Sequence, residues 1–302
     1  MIIRVSERGT FKRCRRRWDY SSPNRQNLTT ASSPVYLTFG TLIHSTLEAW
    51  AGKPEANVEE LYLFEARKQV DEMKTRYRQV VGTEPSEDEV GVLYDAIDMG
   101  RSMVSAYASR WGSSIPDEYN IVQLEQTFLI DVPGTPHQLQ GTLDGLLQNK
   151  KTGEIVILER KTYGSRPRLD SLDHNDQFLA YMWAVQQLTG QPCGGILYDG
   201  LWKRKLEGKR TLEDMTMRTL LKRSQDEIEE FGRLLVCEVN DMANDPQIYL
   251  NRRWEGCYDC SFVKLCNAES KGEDIELVKA SSYRVNLQLD EDENDFTATS
   301  DQ

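Results

Sequence analysis

The sequence predicts an α/β protein: a mixed central β-sheet flanked by helices, with a helical N-terminal insertion and a cysteine-rich C-terminal segment. Three observations carry that prediction. Apolar residues recur at helical spacing between Ser6 and Trp111. From Tyr119 the pattern becomes short apolar runs separated by polar turns, the signature of strands. A helical stretch then falls between two such runs, an order that gives a mixed sheet with helices packed on it.

Taken in order, FKRCRRRWDYSSPNRQ reads as a short helix broken by Ser-Ser-Pro. From Phe39 to about Trp50, Leu42, Ile43, Leu47 and Trp50 share one helical face. Helical patterns continue over Val58–Val80 and Val90–Trp111, separated by the loop GTEPSEDE. IVQLEQTFLIDV is strand-like, PGTPHQ turns, and GTLDGLLQNKKTGEIVILERKT follows as a hairpin. DQFLAYMWAVQQLTG is a helix closed by Gly190, GGILYDGLWKR another strand, and Leu212 to Asn240 one long polar helix. No internal repeat is present. The expected organisation is one domain over 1–270 and an acidic, unstructured tail over 271–302. Within the domain the helical part covers about 6–115, the core about 116–205, and the last helix with the cysteine segment about 206–270.

Composition narrows the class. With 302 residues, 39% of them hydrophobic, the chain can bury a sizeable core, and no apolar run approaches the roughly 18 residues of a membrane span. The start, MIIRVSERGT, lacks the apolar centre of a signal peptide, which points to the cytoplasm. A net charge of -11 argues against a nucleic-acid partner only as a bulk number. Arg4, Arg8, Lys12, Arg13, Arg15, Arg16, Arg17 and Arg25 crowd the N-terminus, while LDEDENDFTATSDQ closes the chain. A local basic patch can bind phosphates whatever the far end carries.

The chemistry concentrates in the hairpin. Asp144 and Glu159 lie about equally far from the turn near Lys151, so an antiparallel pairing sets them roughly opposite one another. Glu159 and Lys161, two apart, share a strand face. Two carboxylates and a lysine on a rigid hairpin supply what metal-assisted phosphodiester cleavage needs: hard oxygen ligands and a fixed cation. Gln177 and Tyr181, four apart on the following helix, face the same way. Among three histidines, His44 is the one flanked by apolar helical residues, where its imidazole could join the carboxylates as a ligand; His137 and His174 lie in polar turns.

Six cysteines in an intracellular chain do not read as a disulfide framework. Cys257-x2-Cys260-x5-Cys266 is a metal-binding spacing that wants a fourth thiolate, for which Cys14 is the natural candidate; Cys193 and Cys237 sit in apolar contexts. Zinc and an iron–sulfur cluster both accept four thiolates, and spacing alone does not separate them. One ligand plus three, drawn from the two ends of the chain, suits a cluster clamping the termini together.

Together these residues resemble the RecB-like branch of the PD-(D/E)XK nuclease superfamily, and look similar to the CRISPR-associated RecB-like exonucleases and the iron–sulfur nuclease domains of AddB-type helicase-nucleases. The likeness runs in order over residues 6–270: Cys14, GTLIHSTLE, GTLD, ERK, QFLAY and the late cysteines. It implies a restriction-endonuclease-like core. His44, Asp144, Glu159 and the carbonyl of Arg160 would hold Mg2+ or Mn2+, with Lys161 positioning water or stabilising charge and Gln177 and Tyr181 orienting Lys161 and the DNA. It also implies a [4Fe-4S] cluster on Cys14, Cys257, Cys260 and Cys266. The implied activity is exonuclease cleavage of single-stranded DNA or DNA ends. Its settings would be recombination and repair, phage DNA metabolism or CRISPR adaptation, with recombination, replication or CRISPR proteins as partners and no membrane. The competing reading is a non-catalytic iron–sulfur DNA-binding subunit. Arg160 departs from the apolar residue that relatives often carry there. Arg13, Arg15 to Arg17, Arg166, Arg168 and Lys203 to Lys205 are candidates for tracking a DNA backbone, and Trp18, Tyr20 and Tyr163 for stacking on bases.

Overall fold

A computed structural model of the chain describes residues 1–31, 39–165, 172–244, 247–252, 254–258 and 260–286. It divides into two compact units: Met1–Ser32, Gly134–Gln138 and Cys237–Gln302 form one, and Ser33–Pro133 with Leu139–Val236 the other. The division escapes a linear reading because the first unit is assembled from both chain ends.

The chain opens with β1 (Ile2–Arg4), α1 (Val5–Arg13), α2 (Arg15–Ser21) and β2 (Leu28–Thr30), all in the first unit. The second unit begins with α3 (Phe39–Gly52), α4 (Val58–Val81) and α5 (Glu87–Trp111). It continues through β3 (Tyr119–Asp131), β4 (Gln138–Asn149), β5 (Ile155–Tyr163), α6 (Asp176–Thr189), β6 (Cys193–Trp202), the single turn α7 (Leu212–Met215) and β7 (Thr216–Leu221). The boundary falls within α8 (Gln225–Ala243). Next come α9 (Trp254–Cys257), α10 (Val263–Lys271), α11 (Ile275–Ser282) and β8 (Tyr283–Val285), in the first unit again.

The second unit holds the mixed sheet that the pattern predicts. β3 pairs with β4, β4 with β5 antiparallel, β5 with β6 parallel and β6 with β7 antiparallel. The parallel step requires a crossover, which α6 provides. Asn175 starts α6 by accepting the Gln177 N–H, and Gly190, left-handed at φ 66°, ends it. Leu42, Ile43, Leu47 and Trp50 of α3 pack against Tyr62, Met103 and Tyr107 of α4 and α5. Gly100 lets α5 approach α4, since a Cβ there would run into the Tyr62 hydroxyl.

Three segments differ from the sequence reading. Residues 212–240 are not one helix: a Thr211 capping box begins α7, but Thr216–Leu221 instead pairs with β6. No glycine or proline marks that switch, so tertiary pairing overrides the local helical signal. The N-terminal helix is two helices, broken at Cys14, whose backbone is extended at φ -163° and ψ 114°. The supposed tail contributes α11 and β8, and β8 pairs antiparallel with β2; the acidic residues 287–302 lie outside the described residues.

In the first unit Tyr20, Phe262, Leu265 and Tyr283 form an apolar cluster. Two of its buried charges meet partners inside the unit. Glu7 accepts from Trp18 Nε1 at 2.7 Å, and Arg8 pairs with Glu238 at 2.6 Å. Among the described residues no helix is long and apolar enough to cross a membrane.

Candidate functional site

The site is built on the β4–β5 hairpin. Gly145 pairs with Leu158 and Leu146 with Ile157. Asp144 and Glu159 are the next residues outward on the two strands, beyond the last paired residues Gly145 and Leu158. Glu159, 1% exposed, meets Lys161 Nζ at 2.6 Å on the same strand face. That ion pair falls outside hydrogen-bond alignment and leaves Glu159 Oε1 without a well-directed donor. Asp144 is held from two sides: Oδ2 accepts the Arg160 N–H at 2.6 Å, and Oδ1 lies 3.2 Å from His44 Nδ1 on α3.

The electrostatics separate the two carboxylates. Burial alone would raise Asp144, but the hydrogen bond and charge of His44 and the Arg160 N–H hold it below the ordinary carboxylate range. Glu159 goes the other way: burial, and then the negative charge of Asp144, push it up to about 7 against the pull of Lys161. His44 is raised because its bond to Asp144 outweighs burial, and Lys161 is raised because Glu159 does the same for its ammonium. Lys161 is therefore a cation at neutral pH.

Gln177 Nε2 donates to Tyr181 Oη at 2.8 Å, so the helical pair makes direct contact. Tyr181 is buried, and burial followed by the charge of Glu159 raises its phenol, which places it within electrostatic reach of the hairpin.

Glu125 was missed by sequence reasoning. Among the described residues, His44, Glu125 and Asp144 form the one group of three such ligands whose donor atoms all lie within 4.8 Å of one another. Glu125 takes an unusual left-handed backbone, φ 45°, in the middle of β3. Although Glu125 is exposed as a residue, partial burial of its carboxyl and then the charges of Asp144 and Glu48 push its pKa up to about 7. In the sequence it is one of several polar residues on an alternating strand, and only the irregular backbone distinguishes it.

In the first unit Cys14, Cys257, Cys260 and Cys266 line one cavity of about 370 Å3 together with Arg13, Arg16, Arg17 and Arg252. All four are free thiols. Burial raises the Cys266 thiol, while the charge and hydrogen bond of Arg16 oppose the rise. Cys193 and Cys237 are free thiols that do not line this cavity.

The candidate DNA-tracking residues fare unevenly. Trp18 and Tyr20 are buried and cannot stack on a base. Arg15 is paired with Asp241, Arg16 with Glu269 and Lys205 with Asp98. Tyr163 is half-buried against Tyr198 and Trp202, and Arg166 and Arg168 lie outside the described residues.

The model of the PD-(D/E)XK nuclease superfamily matches residues 5–267. Among curated proteins none matches the chain. The crystal structure of SSO0001 aligns over 88% of this chain and 86% of its own, with 16% identity and a TM-score of 0.38, a likeness that carries no inference about this chain.

Proposed function

The chain belongs to the PD-(D/E)XK nuclease superfamily, and from that premise we propose that it is a metal-dependent deoxyribonuclease of the RecB-like kind, an exonuclease on single-stranded DNA or DNA ends. The observation that carries the reading is the hairpin: Asp144 and Glu159 close enough for one charge to act on the other, Lys161 on Glu159 and His44 on Asp144. The donor set fits a hard divalent cation, with carboxylate oxygens, one imidazole and a Glu159 oxygen lacking an aligned donor.

His44, Asp144, Glu159 and the Arg160 carbonyl would hold Mg2+ or Mn2+, with Glu125 as a further donor. When bound, the ion supplies Lewis acidity, acidifying the attacking water and neutralising charge on the scissile phosphate. Lys161, held charged by Glu159, orients the water and offsets negative charge growing on the phosphate oxygens. Tyr181, kept protonated and fixed by Gln177, donates towards the phosphate or Lys161's partner groups.

Cys14, Cys257, Cys260 and Cys266 would carry a [4Fe-4S] cluster. The reading is supported by four free thiols on one cavity, beside arginines able to offset thiolate charge. A recombination, repair, phage or CRISPR setting in the cytoplasm belongs to the same reading.

The test is cleavage of 5'- and 3'-labelled single and double strands with Mg2+, Mn2+ or chelator. Wild type should release label from single strands or ends only with metal, and Asp144→Ala should not, with its circular dichroism unchanged. Wild-type protein that binds DNA without cutting it would replace this reading with the non-catalytic iron–sulfur subunit. Anaerobically purified protein should be brown and contain iron; one zinc and no iron would remove the cluster from the proposal.

A further inference from the structure

The hairpin chemistry uses position 160 only through its backbone, yet its side chain is among the largest fully buried in the molecule, at 1% exposure. Arg160 leaves β5 on the face opposite Glu159 and Lys161, because successive strand residues alternate. A guanidinium there loses its water and must be compensated by close partners.

Its partners form a chain. Arg160 Nη2 donates to Ser114 Oγ at 2.8 Å, and Ser114 Oγ donates to the Leu47 carbonyl at 2.8 Å. Leu47 lies on α3, three residues after His44. The strand carrying Glu159 and Lys161 is thus tied, through one serine, to the helix carrying His44.

Ser114 is itself fixed. Its carbonyl accepts from Tyr107 Oη at 3.3 Å and Arg218 Nη2 at 3.2 Å. Both of these bind Asp199, which is 0% exposed. Arg160, Asp199 and Arg218 are register neighbours across β5, β6 and β7. Asp199 is taken by Arg218 at 2.7 and 2.8 Å, and Arg160 Nε has no hydrogen-bond partner. The Arg160 guanidinium is therefore committed to Ser114, and its charge favours the ionised forms of Asp144, Glu48 and Glu125.

We propose that Arg160 is a positioning residue: through Ser114 and the Leu47 carbonyl, its guanidinium sets the spacing between the His44 helix and the Asp144–Glu159 hairpin, and with it the shape of the cation site. The proposal rests on the reading of that hairpin as a divalent-metal centre.

The experiment measures Mn2+ affinity by electron paramagnetic resonance and the imidazole 15N spectrum, which only three histidines populate. Arg160→Met and Ser114→Ala should each weaken Mn2+ binding about tenfold, the scale for residues that orient metal ligands, and should shift the His44 ring resonances. Arg160→Lys, which keeps the charge without the planar fork, should fall between wild type and Arg160→Met. Leu93→Ala, in the separate Val70–Met73–Leu93 cluster, controls for lost stability: its melting temperature should drop with both readouts unchanged. Variants that lose stability but keep wild-type Mn2+ affinity and the wild-type His44 spectrum would overturn the proposal. Ser114→Ala decides the matter if Arg160→Met does not fold. Wild type that binds no Mn2+ would sink the metal reading instead; the His44 resonances in Ser114→Ala would still judge the positioning role, a shift supporting it and identity with wild type refuting it.

Discussion

The carboxylate site of one unit and the cysteine cavity of the other solve the problem of gathering ligands in opposite ways. Asp144 and Glu159 stand on neighbouring strands of a five-residue turn hairpin, and His44 on a helix packed into a large apolar cluster. Their positions are fixed by backbone pairing and core burial. Cys14 sits in an extended break between two short helices, while Cys257 ends a four-residue helix and Cys266 lies on a nine-residue one. Such elements have little stability of their own. On the proposed reading the first arrangement is preorganised for chemistry, and the second would draw part of its stability from the cluster proposed for it.

That contrast is sharpest in activity. Lys161→Ala should lower the cleavage rate by about 10²–10⁴-fold, the range for a positioned group acting on proton or charge transfer, with an unchanged melting temperature read by circular dichroism. A large loss of stability in that variant would break the distinction between the two sites.

Cys257→Ser should do the reverse. Loss of a ligand that is also a fold element should lower the first unit's melting temperature by roughly 10 °C, measured calorimetrically, and bleach any visible absorbance. An unchanged melting profile would mean that the cavity is preorganised after all.

Glu125→Gln is expected to weaken Mn2+ binding about tenfold while slightly stabilising the metal-free protein at pH 8. The two signs differ because the Glu125 carboxylate is disfavoured beside Asp144 and Glu48 until a cation arrives. Titration calorimetry and thermal melts with chelator check both.

The smallest effect is in pH. Glu159 and Glu125 have folded pKa values raised to about 7, above the ordinary 4.5. Their stabilising contribution is therefore complete below about pH 4.5 and lost as pH rises through about 7. Raised His44 works in the same direction, whereas depressed Asp144 acts only at more acid pH. Metal-free protein should thus lose stability between pH 5 and about 8, and Mn2+ affinity should increase over the same window as the carboxylates release protons. Urea melts with and without Mn2+ would show it.

The two sites were also unequally legible. The hairpin could be read because antiparallel register follows from counting outward from a turn, and the contact of Gln177 with Tyr181 because helical spacing is fixed. Cys14 could be grouped with the late cysteines only because a fourth thiolate was wanted. Glu125 was hidden, since its relevance comes from a left-handed residue that no alternating pattern predicts. The same holds for Ser114, whose role arises from contacts to residues 46 positions later and 67 positions earlier. β7 was lost for a related reason: Thr216–Leu221 becomes a strand because β6 offers it an edge.

The most direct test of the hairpin assignment pairs single-turnover cleavage of labelled single-stranded DNA with Mn2+ binding in Asp144→Ala and Lys161→Ala. Asp144→Ala should lose both cutting and Mn2+, and Lys161→Ala should keep Mn2+ but lose cutting. Wild-type rates in both variants would contradict the assignment of this hairpin as the catalytic centre.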